Sequence, residues 1–400
     1  MQTFKEQKMK QLASLIGFGL WGVEPPAALL PASEEEWQRL FDLSRRQAVT
    51  ALLYDAVLKL PKEQRPPRRV LFHFTSITQT IGHDNRCREE ALMHFAALLQ
   101  SELSLPVVVV KGSSLAGLYP KPLYRECGDN DLYTGSDTER IGALMEARGV
   151  AVDRKDPRHI SFVYDGATFE CHNYLLYHND DIVWETKPLV LESNANVPSD
   201  ATHPTLRAPL SERGWLPHHD DDQQDEKTAA APSPLGEGSL KAGVCSGKLL
   251  TLRSEQSAFF LAKHCEHHAV FFHNPVRLRS LVDWCLLTGS NEFDYAAFQA
   301  VKQGSDVDVF ADLMSCYCNS LFGVHLPYDA ARLKAKGLEA SDFDRLYLQC
   351  HERHKRAFVR VVRRSWKYLR YGRLYRAIYG QSMFRRFYLH NVGVALRQHI

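Results

Sequence analysis

The sequence predicts an α+β protein, in which a small mixed-sheet core is flanked by N-terminal and C-terminal helical regions. Apolar residues recur at helical spacing over residues 1–105 and again after residue 248. Between these regions, short β-branched runs alternate with helix-length segments. The chain is 44% hydrophobic and 24% charged, as in an ordinary globular protein, so a fibrous or disordered class is excluded.

The N-terminal region, residues 1–105, is predicted to be helical throughout. Ser33 and Glu36 have the spacing of a capping box, which marks the start of a helix. A long helix is predicted over about residues 69–103. The early apolar stretch Leu12–Val23 lacks the cleavage site of a signal peptide, and no run reaches the roughly 20 apolar residues of a membrane span. We therefore expect a cytoplasmic protein with no transmembrane segment.

A compact mixed α/β unit is predicted over residues 106–195. Val107–Val110 is a continuous apolar run, as expected of a strand that is covered on both faces. A second strand is predicted at Asp129–Tyr133, after a short helix. Asp165 and Gly166 separate two β-rich runs, which strongly favours a two-residue hairpin. The predicted order is therefore strand, helix, strand, helix and hairpin.

Two segments of different composition follow this unit, at residues 196–247 and 248–350. Residues 196–247 hold six prolines and a long polar run, a composition typical of a flexible linker or insertion. Helical periodicity then resumes over residues 248–350. Three helices are predicted there, at about 255–270, 276–288 and 295–322.

The C-terminal segment, residues 351–400, is a basic aromatic tail. It holds 13 Lys or Arg residues against the single acid Glu352, a net charge of +12, whereas the whole chain carries +2. Four of its tyrosines recur at helical spacing, which favours an amphipathic helix packed on the body with a solvated basic face. The same composition suits single-stranded nucleic acid or an anionic membrane surface, so contact with nucleic acid or another acidic surface stays open.

The strongest functional pattern lies between residues 107 and 133. Asp129 and Asp131 point to the same side of one strand, because side chains alternate with a period of two. Two adjacent carboxylates repel each other unless a cation lies between them, so this pair predicts a divalent metal site. Gly112 and Ser113 occupy a strand-to-helix turn, where free backbone N–H groups can bind a phosphate.

A third carboxylate is predicted on the hairpin. Glu170 would join Asp129 and Asp131 if its strand lies beside theirs. Three such carboxylates suit two-metal phosphoryl transfer, in which two of them bridge both ions. Lys111 and Arg125 would neutralise phosphate charge, and Arg125 has a structural interpretation as well.

In this order, the motifs resemble those of the DNA polymerase beta-like nucleotidyltransferase superfamily: apolar-Gly-[Gly/Ser], Asp-x-Asp, then a distant carboxylate on a neighbouring strand. More narrowly, the chain is similar to a family of uncharacterised bacterial nucleotidyltransferases. The motifs that match are Lys111-Gly112, Tyr119-Pro120, Arg125, Asp129-Asn130-Asp131-Leu132 and Glu170-Cys171-His172. Looser matches are Leu261–His268, Arg279 with Asp283, and Phe322-Gly323.

This resemblance implies a Mg²⁺-dependent (or Mn²⁺-dependent) enzyme that moves a nucleoside monophosphate from an NTP to an acceptor hydroxyl and releases pyrophosphate. It implies that Asp129 and Asp131 bridge the metal ions, and that Glu170 binds the ion beside the nucleophile and helps to deprotonate it. Gly112 and Ser113 would bind the phosphates. The acceptor stays open between a small molecule, a protein and an RNA, because appended helices follow no general recognition code.

Two other functions remain open. One is a catalytically inactive nucleotide- or nucleic-acid-binding module on the same fold. Asn130, which stands where the family usually has an apolar residue, and the long gap between Ser113 and Asp129 favour it. The other is a regulatory or toxin–antitoxin component, which the sequence neither supports nor excludes.

Histidines and cysteines offer a different kind of metal site. His264 and His268 lie at i and i+4 on one predicted helix face, a spacing that suits zinc. No third ligand is evident in the sequence, so structural histidines are the favoured interpretation. The nine cysteines are an odd number without zinc-knuckle pairs, which predicts reduced thiols in a cytosolic protein.

Overall fold

The computed structural model describes residues 2–175, 185–189, 191, 249–270, 274–348 and 365–383. The predicted linker, residues 196–247, and most of the basic tail lie outside the described residues. Within the described ranges, a six-stranded mixed sheet is flanked by helices from both ends of the chain, which confirms the α+β class. No described helix is both long and apolar enough to cross a membrane. The cysteines in these ranges are all free thiols.

Four helices precede the sheet, as the sequence predicts. They are α1 (Gln2–Trp21), α2 (Glu34–Arg46), α3 (Thr50–Lys59) and α4 (Arg68–Leu103). Half of the predicted capping box is present at α2, where the Ser33 hydroxyl accepts a hydrogen bond from the Glu36 backbone N–H. The Glu36 carboxylate in turn accepts one from the backbone N–H of Ala32, which is one residue earlier than a capping box requires. These local bonds fix the start of α2.

The sheet has the strand order β3-β4-β2-β1-β6-β5. Its strands are β1 (Val107–Val109), β2 (Asn130–Tyr133), β3 (His159–Tyr164), β4 (Ala167–His172), β5 (Thr186–Pro188) and β6 (Leu249–Leu252). The predicted hairpin joins β3 to β4, and its turn residues Asp165 and Gly166 have φ values of 49° and 75°. Positive φ at both positions is what a type I′ turn requires.

The remaining helices surround the sheet and build the C-terminal part. They are α5 (Ser113–Ala116), α6 (Thr138–Ala147), α7 (Ser254–Val270), α8 (Leu278–Thr288), α9 (Tyr295–Lys302), α10 (Asp308–Phe322), α11 (Ala330–Ala335), α12 (Ala340–Phe343) and α13 (Gly372–Tyr379). The prediction of one helix over 295–322 was wrong. Gly304, with φ 75°, breaks it into α9 and α10, because a left-handed residue cannot continue a right-handed helix.

Strand β6 is a second difference from the sequence-based division. The region predicted to be helical from residue 248 instead opens with this strand, which pairs in parallel with β1. A four-residue apolar run does not distinguish a buried strand from the first turn of a helix by periodicity alone. The strand carries the chain from the sheet directly into α7, so the C-terminal helices are anchored beside β1.

The described residues form three buried apolar cores, and α4 contributes to the two largest. Val70 and Phe74, near its start, pack into the larger core with α1 to α3 and α7 to α10. Phe95 and Leu99, near its end, pack under the sheet in the smaller core. The described part of the tail joins the larger core through Tyr368, in accord with the predicted packed helix. One long helix therefore links the sheet to the helical body.

Candidate active site

The three predicted carboxylates converge on one face of the sheet. β2 and β4 pair in parallel with Asp131 opposite Glu170, and Asp129 immediately precedes β2. Carboxylate oxygens of Asp129, Asp131 and Glu170 all lie within 4.8 Å of one another. Such a set of oxygen donors, drawn from two neighbouring strands, fits a Mg²⁺ or Mn²⁺ ion.

Asp131 is the most deeply buried member of this cluster, with 2% of its surface exposed. Its Oδ1 lies 2.9 Å from the Lys111 Nζ and 3.3 Å from the His172 Nε2. Burial alone would raise the pKa of Asp131, but the Lys111 charge and the His172 hydrogen bond hold it well below the usual range. The Asp131 side chain is therefore an anion, and Lys111 and His172 stabilise its charge.

The strand-to-helix turn brings backbone N–H groups beside these carboxylates. Gly112 has φ 62°, and a Cβ at this position would lie 3.2 Å from the Asp129 carbonyl oxygen. A glycine is therefore required both by the backbone conformation and by the close approach of residue 129. Ser113 begins α5, so its N–H is among those that lack a partner inside the helix.

A cleft of about 400 Å³, part of it open to solvent, lies over this site. The sheet unit supplies one wall and the helices α7 and α8 supply the other. The lining residues are Lys111, Gly112, Leu115, Arg125, Cys127, Gly128, Asp129, Asp131, Leu261, His264, Arg279, Ser280 and Asp283. Ser113 lines a smaller neighbouring pocket that shares Arg125 and Cys127 with the cleft.

Arg125 lines the cleft, but its guanidinium is engaged by a carboxylate. Its Nε and Nη2 donate 2.8 Å hydrogen bonds to the two carboxylate oxygens of Asp283 on α8. The Tyr119 hydroxyl donates a third bond, of 2.6 Å, to Asp283 Oδ1. With Arg125 only 4% exposed, this geometry favours its structural interpretation as a link between the sheet unit and α8.

Asn130 faces away from the carboxylate cluster, because it alternates with Asp129 and Asp131 along the strand. It is 1% exposed, and neither of its amide atoms has a hydrogen-bond partner among the described residues. The sequence predicts that this side chain needs such a partner. The structure instead shows a buried amide that desolvation penalises.

The predictions made from the residues themselves include no role in the site for His172 or Asp283. His172 shares a strand face with Glu170, so the period of two was the clue that could have identified it. Asp283 lies 158 residues from Arg125 along the chain, and only the resemblance pointed to it. His264, a possible zinc ligand by its spacing, lies on the helical wall of the cleft, with its ring 4.2 Å from that of His268 and tilted by 40°.

The family model described as "Uncharacterised nucleotidyltransferase" matches residues 33–323. Because this match spans well over half of the chain, the protein belongs to that family, which confirms the resemblance found in the motifs. No curated protein and no solved structure matches the chain. Membership assigns the chain to nucleotidyl transfer in general, with a nucleotide as one substrate.

Proposed function

We propose that this family member is a metal-dependent enzyme that transfers a nucleoside monophosphate from an NTP to an acceptor hydroxyl and releases pyrophosphate. The observation that supports it most is the convergence of Asp129, Asp131 and Glu170, with both aspartates lining the same cleft as Gly112. A cytoplasmic location fits the reduced thiols and the supply of NTPs.

Asp129, Asp131 and Glu170 would hold Mg²⁺ or Mn²⁺ through their carboxylate oxygens. When bound, a divalent cation stabilises the charge on the transferring phosphoryl group and activates the acceptor hydroxyl. Lys111 supplies a positive charge at the same point: burial lowers its pKa, but the neighbouring carboxylates, Asp131 first among them, raise it above its usual value. The turn at Gly112 and Ser113 offers N–H groups to the phosphates.

The proposed step forms one bond and breaks one. The acceptor hydroxyl oxygen bonds to the α-phosphorus, and the bond from that phosphorus to the bridging oxygen breaks, so pyrophosphate leaves with the electron pair. The hydroxyl proton passes to Glu170, which is more exposed than Asp131 and therefore more accessible to an acceptor. The helical wall, with His264, Arg279 and Ser280, would line the acceptor side of the cleft.

A second candidate is a nucleotide-binding module without catalysis. The observation that favours it is the Lys111–Asp131 ion pair, which satisfies the buried carboxylate without any metal. Calorimetry separates the two functions. Tight NTP binding that requires Mg²⁺ favours the enzyme, and metal-independent binding of NTP or RNA favours the module.

Transfer activity is tested with labelled NTPs, Mg²⁺ or Mn²⁺ and a pooled cell extract as the source of acceptor. We expect label transfer and pyrophosphate release by the wild-type protein and neither by Asp131→Asn. Asp165→Asn is the matched control, because Asp165 lies at the hairpin turn with positive φ, which asparagine also adopts. Transfer that is equal in wild type and Asp131→Asn contradicts the proposal.

A further inference from the structure

Two histidines lie beside the carboxylate cluster on the same face of the sheet. In the antiparallel pair of β3 and β4, His159 is directly opposite His172. Glu170 is two residues from His172 on β4, so the period of two places all three side chains on one face. The two imidazole rings lie 4.9 Å apart between their centroids.

Glu170 bridges the two imidazoles with its two oxygens. Its Oε1 lies 3.9 Å from His159 Nε2, and its Oε2 lies 3.5 Å from His172 Nε2. One donor atom from each of the three residues lies within 4.8 Å of the others. The backbone register fixes this arrangement, since cross-strand neighbours on one face cannot separate without a change of pairing.

The far side of His159 offers a buried ring nitrogen and a neighbouring carboxylate. Its Nδ1 is buried and has no hydrogen-bond partner among the described residues. The Asp156 Oδ1 lies 3.9 Å from this nitrogen, and Arg158 fixes that carboxylate with hydrogen bonds of 2.6 and 3.0 Å. A metal-bound imidazole usually donates its other N–H to such a carboxylate, and a small rotation of the His159 ring would bring Nδ1 within hydrogen-bond distance of Asp156.

We propose that His159, Glu170 and His172 form a second cation site, selective for a transition-metal dication such as Zn²⁺ or Co²⁺. Two imidazole nitrogens and one carboxylate suit those ions, whereas Mg²⁺ prefers the all-oxygen set of Asp129, Asp131 and Glu170. Glu170 belongs to both sets, so the two sites adjoin each other. This inference goes beyond nucleotidyl transfer, because the site can be measured without any nucleotide.

The site is tested on the full chain after removal of metal with a chelator. Calorimetric titration with Zn²⁺ and Co²⁺ is expected to show a site whose affinity falls at least tenfold in His159→Gln, while Mg²⁺ binding is unchanged. His94→Gln is the matched control, because His94 lies on α4 and is exposed. Asp129→Asn should weaken Mg²⁺ binding and leave the Co²⁺ site intact.

Co²⁺ also reports its ligands directly in the wild-type protein. We expect paramagnetically shifted imidazole N–H resonances from two histidines in the NMR spectrum, with one lost in His159→Gln. The proposal would be overturned if His159→Gln bound Zn²⁺ and Co²⁺ as tightly as the wild-type protein does. The absence of shifted imidazole signals from the wild-type protein would also overturn it. A failure of label transfer with these signals present would count against nucleotidyl transfer alone, so the two failures are distinguishable.

Discussion

Two ion pairs, Arg125–Asp283 and Lys111–Asp131, line the same cleft, and they differ in the number of hydrogen bonds that join the charged groups. Arg125 and Asp283 form a fork of two 2.8 Å hydrogen bonds, and the Tyr119 hydroxyl adds a third to the same carboxylate. Lys111 contacts Asp131 at a single distance of 2.9 Å. The carboxylates of Asp129 and Glu170 lie beside that of Asp131. The first pair joins the sheet unit to α8, whereas the second lies where a divalent cation would bind.

This difference indicates two roles for buried charge in one site. A planar guanidinium with its carboxylate fully bonded resists exchange. A lysine ammonium is a compact point charge on a flexible stem, so an incoming cation can replace it at Asp131. We therefore expect the Arg125 pair to determine the stability of the cleft and the Lys111 pair to respond to metal.

Loss of the Arg125 side chain should have the greatest effect on folding. Arg125→Met leaves the Asp283 charge buried without its partner, so the free energy of unfolding should fall by about 3–5 kcal/mol. The double variant Arg125→Met/Asp283→Leu should recover much of that loss, since no charge is then left unpaired. Denaturant unfolding followed by circular dichroism measures both, and a double variant no more stable than the singles would contradict a pairing role.

Lys111→Met should have a smaller effect that depends on metal. Without a cation, the buried Asp131 charge loses its closest partner, and we expect the variant to lose about 2 kcal/mol in the presence of a chelator. Mg²⁺ should restore more stability to this variant than it adds to the wild type. Lys121→Met, which removes a surface pair with Asp55, is the control and should show no such dependence. Thermal unfolding with and without Mg²⁺ decides the outcome.

Glu126 is a third buried charge, held by backbone N–H groups at the start of α3 and not by a bonded cation. Burial raises its pKa to about 7, against the hydrogen bonds from Thr50 and the charge of Arg279. Because the unfolded carboxyl ionises near pH 4.5, the folded state binds the extra proton between these values. The contribution of Glu126 to stability is therefore greatest below pH 4.5 and is lost as pH rises through 7.

Glu126→Gln should accordingly stabilise the protein at high pH only. The amide oxygen can still accept from Thr50, and it never ionises, so we expect a gain of about 1–3 kcal/mol at pH 8. The difference from wild type should shrink towards zero near pH 4. Urea unfolding across this range is the measurement, and a difference independent of pH would show that the carboxyl does not titrate as its burial implies.

Asn130→Val should give a modest gain in stability. The substitution removes a buried amide that lacks partners and places a β-branched residue in a strand, so we expect about 1–2 kcal/mol of stabilisation. Asp129 and Asp131 keep their positions, because the substituted side chain lies on the opposite face. A rise in melting temperature with metal binding unchanged is the expected result. A loss of stability would show that Asn130 has a partner that this structure does not show.

Local rules predict most of the carboxylate cluster. The period of two predicts that Asp129 and Asp131 share a face, and the Asp165-Gly166 turn predicts the hairpin that carries Glu170. The prediction that Glu170 joins the aspartates required its strand to lie beside theirs. The structure meets this condition, because β2 pairs with β4 and Asp131 lies opposite Glu170. These features depend on neighbours within a few residues, or on one strand pairing, which is why sequence patterns capture them.

Contacts between distant parts of the chain were not predictable in the same way. Neither the fork between Arg125 and Asp283 nor the parallel pairing of β6 with β1 follows from local periodicity. The Lys111–Asp131 pair also depends on the register between β1 and β2, which the sequence does not state. Tertiary packing decides such contacts, so only a resemblance or a structure identifies them.

A crystal structure of the protein with Mn²⁺ and a non-hydrolysable NTP tests the proposed metal site at the three carboxylates most directly. We expect anomalous density among the carboxylates of Asp129, Asp131 and Glu170, with the triphosphate at the Gly112 turn. The Lys111 ammonium should have moved off Asp131 to the phosphates. A structure in which Lys111 still contacts Asp131, and the nucleotide binds elsewhere without an ion at the three carboxylates, would contradict the proposed enzyme.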